Sequence, residues 1–254
     1  MHTMMNIARR AIGKTQRMAA ERFNKTSLYV PDSFRRISFC FDDFPASAAD
    51  YGAGMLEDYG VRGTFYTCFG LLGEPSPSGN LASMDNIISL AGNRHEIGCH
   101  TYDHINCSFT DAQTVAQSCD KNIKTAVAHG INLKHFAYPQ GGMSMSTKKI
   151  MQRFYGTARS IIHGINKGQC DAHCIKSVPI YETAPHQRIY NLIDQVESDG
   201  GWLILYTHDI SDMPSPYGVS KTFFRDIVAY CAAKQLPIST IEEAMRSIGA
   251  ESRQ

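Results

Sequence analysis

Ile37-Ser38-Phe39-Cys40-Phe41-Asp42-Asp43-Phe44 is a β-branched and aromatic run closed by two adjacent carboxylates. That composition and length read as a buried strand. Two acids at its end repel each other unless a cation or a shared proton relieves them. A metal ion is the simplest relief, and the chain offers ligands for one. His100 and His104 stand four residues apart, and His208 closes another apolar run, Leu203-Ile204-Leu205-Tyr206-Thr207.

Outward from this stretch, strand-like and helix-like segments alternate. A helix is predicted over 47–59, then a strand over 64–69 after the turn Gly60-Val61-Arg62-Gly63. Helix 84–91, strand 96–99, helix 110–130 with a capping-box start at Thr110, strand 135–138 and helix 146–154 follow. Strands 157–161 and 177–180, helix 186–198, strand 202–206, helix 222–234, strand 236–239 and a closing helix complete the series. The breaker-rich stretch 73–80 reads as an irregular loop at a cleft rim. Such alternation calls for parallel strands with helical crossovers, and seven or eight units in this length predict a single-domain α/β barrel. The suspected functional residues all follow strands, the end at which such barrels do chemistry.

Composition narrows the class. The 254 residues suffice for one large core, and a net charge of +1 gives no field to recruit nucleic acid. No run is long and apolar enough to span a bilayer, and the N-terminus meets Arg9 and Arg10 without an apolar h-region, so a cytoplasmic location is expected. The eight cysteines are scattered through apolar segments and read as buried thiols of a reducing compartment. Cys170 and Cys174 lack the second pair a structural zinc site needs. Residues 1–36 form a basic N-terminal extension ahead of a domain over 37–254: Arg9, Arg10, Lys14, Arg17, Arg22, Lys25, Arg35 and Arg36 face only Glu21 and Asp32. Ile7, Ala8, Ile12 and Ala19 can form one side of a helix there. The plainer reading is a solvated helix packed on the domain, the sharper one a peripheral foothold on anionic membrane lipid.

One helical turn would put His100 and His104 on one side, able to share an ion. One carboxylate and two imidazoles leave coordination positions open, the arrangement of a catalytic rather than a structural site. The second acid can then take a proton from water while a histidine across the cleft protonates a leaving amine. The chemistry is hydrolysis of an amide or ester through an oxyanion.

Phe41-Asp42-Asp43, His100-Thr101-x-x-His104, Phe136-Ala137-Tyr138-Pro139-Gln140-Gly141 and Leu203 to His208 resemble, in order and spacing, the motifs of the NodB-homology polysaccharide deacetylases, carbohydrate esterase family 4. The resemblance covers roughly 37–241. It implies a distorted (β/α) barrel that removes acetyl groups from sugars with one divalent metal ion, most commonly zinc, with cobalt, nickel or manganese as alternatives. By it Asp42 is the general base and His208 the general acid, while Asp43, His100 and His104 are metal ligands. Tyr138, Pro139, Gln140 and Leu205 would touch substrate, Leu205 at the acetyl methyl and the Gln140 N–H at the oxyanion. Two departures stand out. The family's Arg-x-Pro-Tyr motif has Ala137 at the Arg position and Gln140 in place of its aromatic, so the base needs another tether. The acid that orients the catalytic histidine is not placed, with Asp171 its candidate. Rival readings are a hydrolase of a non-sugar amide, such as a cyclic imide or ureide, and a sugar-binding relative without turnover. Trp202 reads as core, and Asp209 should point away from His208.

Overall fold

The computed structural model describes the backbone of residues 2–251 and the side chains of 11–249. Seven parallel strands form one curled sheet: β1 (Arg35–Asp42), β2 (Thr64–Thr67), β3 (Glu96–Cys99), β4 (His135–Ala137), β5 (Thr157–Arg159), β6 (Val178–Pro179) and β7 (Gly201–Thr207). Their spatial order is β6-β7-β1-β2-β3-β4-β5, and a bridge from Arg159 to Ile175 helps curl β5 back toward the segment that enters β6. This is the distorted (β/α) barrel expected from the sequence. The predicted strand at 236–239 contributes only a bridge between Ile37 and Ile238.

Alternation along each strand sorts the core into two layers. Phe39, Phe41, Leu203 and Leu205 face outward into the layer shared with the helices, where Phe41 stacks on Phe65. Cys40, Tyr66, Ala137, Ile204 and Tyr206 fill the interior with Trp202, whose indole N–H donates to Ser38 Oγ at 2.9 Å. Trp202 is therefore core. Gly98 of β3 has a packing reason, since a Cβ there would stand 2.4 Å from the Tyr66 ring.

Among the described residues eight α-helices wrap this sheet: α1 (His2–Arg22), α2 (Gly54–Glu57), α3 (Met84–Gly92), α4 (Ala112–Ala128), α5 (Met145–Phe154), α6 (His186–Asp199), α7 (Lys221–Ala233) and α8 (Ile241–Glu251). The helix expected over 47–59 divides into a π-helical turn, Ala48–Ala53, and the short α2. Asp111 rather than Thr110 caps α4, accepting the Thr114 N–H. The stretch expected to be irregular holds a small hairpin, Pro75–Ser76 against Gly79–Asn80.

Of the basic extension only His2–Arg22 is helical, and it docks on α5; Ser27–Val30 instead pairs as a strand with Gly168–Asp171, and Arg35 and Arg36 open β1. Lys148, wholly buried, donates to the Ala20 and Phe23 carbonyls at the end of α1 and to the Asp171 carboxylate. A buried lysine whose donors are all met holds the helix end firmly. The side chains of Ile7, Ala8, Arg9 and Arg10 lie outside the described residues. Among the described residues no helix is long and apolar enough to cross a membrane.

Candidate active site

The C-terminal ends of the strands surround a cleft of about 660 Å³. Asp42, the last residue of β1, points inward by strand alternation, and Asp43 leaves the strand in a left-handed conformation (φ 50°). An extended strand would send the two neighbouring carboxylates to opposite faces, and with this turn both line the cleft. His100 follows β3. The structure corrects the helical turn expected between the two histidines: Thr101 (φ 61°) and His104 (φ 52°) take left-handed positions in a loop, and these bring the rings to 5.1 Å between centroids. Side chains with φ in this region are uncommon, and the surrounding contacts must hold them there.

Asp43, His100 and His104 each offer a ligand atom, all within 4.8 Å of one another. His104 Nε2 stands 3.1 Å and His100 Nε2 3.6 Å from the Asp43 oxygens. The His100 Nδ1–H donates to the Ala137 carbonyl at 2.7 Å, which fixes the tautomer and turns a bare Nε2 toward Asp43. Burial drives the His100 imidazole down to about 3 and lowers that of His104, so both stay neutral, as ligands must be. Burial pushes Asp43 the other way, up to about 6, with Asp42 adding to the rise against the pull of His208. A desolvated acid between two neutral imidazoles is a site short of positive charge, and a divalent cation fits this donor set.

Asp42 is settled differently. The Arg159 guanidinium of β5 crosses the barrel and bonds both of its oxygens. Burial alone would raise the Asp42 carboxyl, but the Arg159 charge, with His100 and His208 behind it, holds it below the ordinary range. Arg159 is 2 % exposed, donates to Ser177 Oγ at 3.1 Å and lies over the Tyr206 ring. Ala137, at the position where the family carries its arginine, is the direct register partner of Arg159. The missing tether has moved one strand sideways. Sequence reasoning missed it, although an arginine in the middle of the otherwise small and apolar segment Thr157-Ala158-Arg159-Ser160-Ile161 was a usable signal.

His208 leaves β7 on the opposite side. Its Nδ1 faces the Tyr217 carbonyl at 3.2 Å, and its ring packs in one cluster with those of Tyr181 and Tyr217. Asp171, the candidate for orienting it, is instead the partner of buried Lys148. Asp209 turns away, as alternation predicts, and accepts from Ser215 N–H and Oγ–H at 2.9 and 2.6 Å, which folds the loop carrying Tyr217. A backbone carbonyl thus does the orienting.

Of the expected substrate contacts, Tyr138 and Gln140 line the cleft. Gln140 has φ 56°, and Asn106 Nδ2 donates to its side-chain oxygen at 3.0 Å. Pro139 is buried and does not line the cleft. Leu205 is a correction: it faces the outer layer beside Phe39, because inward and outward positions alternate along β7 and the inward ones are Ile204 and Tyr206. Leu71, Leu81 and Ile161 supply the apolar lining.

The family model described as polysaccharide deacetylase matches residues 30–157, half of the chain and the half carrying Asp42, Asp43, His100 and His104. The chain belongs to this family, the NodB-homology group of carbohydrate esterase family 4. No curated protein matches it by sequence. Among solved structures it is similar to PdaA of Bacillus subtilis, a family 4 carbohydrate esterase (14 % identity, TM-score 0.60, 92 % of this chain and 88 % of that one). It is also similar to a family 4 acetyl xylan esterase from Clostridium thermocellum in complex with a cobalt ion (17 %, 0.58, 84 % and 91 %). A third likeness is to a family 4 pseudoenzyme from Bacillus anthracis (14 %, 0.59, 85 % and 68 %). At these identities the likeness carries the fold.

Proposed function

We propose that the protein is a metal-dependent hydrolase that removes the acetyl group from an N-acetylated sugar, in a glycan or a glycan precursor. The observation that carries this reading is the convergence of Asp43, His100 and His104 on one point beside an arginine-held Asp42. A divalent ion held by that trio, zinc by donor chemistry, supplies Lewis acidity and makes water a nucleophile at neutral pH. Asp42 accepts the proton of the attacking water, and Arg159 keeps it charged and aimed. In this reading the backbone N–H of Gln140, which lines the cleft in a left-handed turn, serves the oxyanion. With Nδ1 committed to the Tyr217 carbonyl, His208 uses its other nitrogen to protonate the departing amine. The water oxygen bonds to the acyl carbon, the C–N bond breaks, and acetate and a free amine leave.

Ala137 in place of the family's arginine was the ground for a sugar-binding protein without turnover, and Arg159 removes that ground. The catalytic unit would run over 37–254, with 1–36 as a docked basic extension. Thiols used as core residues support action in the cytoplasm. The test is acetate release from N-acetylglucosamine oligomers, lost to a chelator and restored by zinc or cobalt. Fully metal-loaded protein that binds the oligomers and releases no acetate would overturn the proposal.

A further inference from the structure

The cleft carries an unequal distribution of charge. Among the described residues no lysine or arginine lines it. Arg159 lies buried with its guanidinium on Asp42, and Arg17 reaches the rim only at the Gly141 carbonyl, 3.5 Å away, without lining the cleft. Of the three acids in the lining, Asp42 is matched by Arg159 and Asp43 belongs to the metal-binding trio. Glu74 remains. It is exposed, lines the cleft and has no ion-pair partner among the described residues.

Glu74 is also held in place. Its N–H donates to the Leu71 carbonyl at 3.1 Å, its own carbonyl accepts the Leu81 N–H at 2.9 Å, and the hairpin that follows touches the loop after β7 through Ser78 and Ser215 hydroxyls at 3.4 Å. A negative charge anchored through its backbone, on a rim that Arg17 reaches only at the Gly141 carbonyl, penalises any substrate that brings a carboxylate or phosphate, and favours one that brings an ammonium group.

From this placement we infer that Glu74 makes the cleft selective by charge: it takes neutral or amine-bearing glycans and rejects anionic ones. The inference rests on the deacetylase reading and deepens it. The reaction itself turns a neutral acetamido sugar into an ammonium sugar, so a chain already relieved of one acetyl group gains attraction to the rim.

Three tetramers of N-acetylglucosamine test this with the zinc-loaded enzyme: the plain oligomer, one with a single free amine, and one with a lactyl carboxylate. At low salt kcat/KM should fall about fivefold for the carboxylate and rise by a similar factor for the amine, both differences shrinking in about 0.5 M salt. E74Q should collapse both ratios toward one. Unchanged ratios in E74Q, or a wild-type preference for the carboxylate, would overturn the inference. Calorimetry with a fully deacetylated glucosamine tetramer and a uronic acid tetramer reads the same preference without turnover. If no substrate releases acetate, the deacetylase reading fails while tighter binding of the glucosamine tetramer, lost in E74Q, still upholds the charge selection, and equal binding still refutes it.

Discussion

The two ends of the barrel use the same residue types to opposite effect. At the N-terminal end His135 meets Glu242 at 2.9 Å, Lys134 reaches the other Glu242 oxygen at 2.7 Å, and His95 meets Glu57 at 3.0 Å. Burial would raise Glu242, but hydrogen bonds from Lys134 and His135 bring it down to about 2. At the C-terminal end Asp43 also faces two imidazoles, yet burial leaves it raised to about 6. One end has its acids matched by bases. The other is left short of positive charge, and that is where a cation belongs.

Four tests, the first a pair of substitutions, break or sharpen this contrast, in falling order of effect. D42N should cut turnover about a thousandfold while metal content, read by elemental analysis, stays near one per chain; H100A should lose the metal as well, and equal metal loss in both would show the roles misassigned. R159A should lower kcat about a hundredfold and cost about 3 kcal/mol in denaturant unfolding, because it strands a buried carboxylate. In its pH profile the acid limb of kcat/KM should move to higher pH, since the charge that holds Asp42 low is gone.

The third change should stabilise. In metal-free protein Asp43 has a folded value near 6 against an ordinary 3.8, so its favourable protonated form is fully present below about pH 4 and lost as pH rises through 6. D43N should therefore raise metal-free stability by about 2 kcal/mol at pH 7 and by nothing at pH 4, while abolishing metal binding. The fourth probes the matched end. Glu242 is held low, so its contribution is present above its ordinary 4.5 and fades as pH falls through 2. E242Q should cost about 1 kcal/mol at pH 7, converge with wild type in acid and leave acetate release unchanged. A loss of activity there would mean the two ends are coupled.

Much of this was legible in the sequence because the site is built from residue types that are costly where they stand. Paired acids after an apolar strand, and histidines at ligand spacing after another, announce themselves. The barrel was legible for a related reason: buried parallel strands leave continuous apolar runs. What could not be read was lateral. Nothing local tells Thr157-Ala158-Arg159 that its register neighbour is Ala137, or that Asp42 waits across the interior. Leu205 was carried over from the family resemblance, and an unbroken apolar run gave no local sign that it faces outward. The His100–His104 pair fooled helical reasoning because left-handed loop residues can reach the same convergence.

The sideways position of Arg159 has one more consequence. Neighbouring strands lie only about 4.8 Å apart, a distance a long side chain spans easily. The barrel therefore needs a guanidinium at a given height and depth, whichever staves of the cask supply it. Whether a deacetylase-like chain is intact should be judged at that point in space, because a scan along one strand would have scored this protein as disarmed.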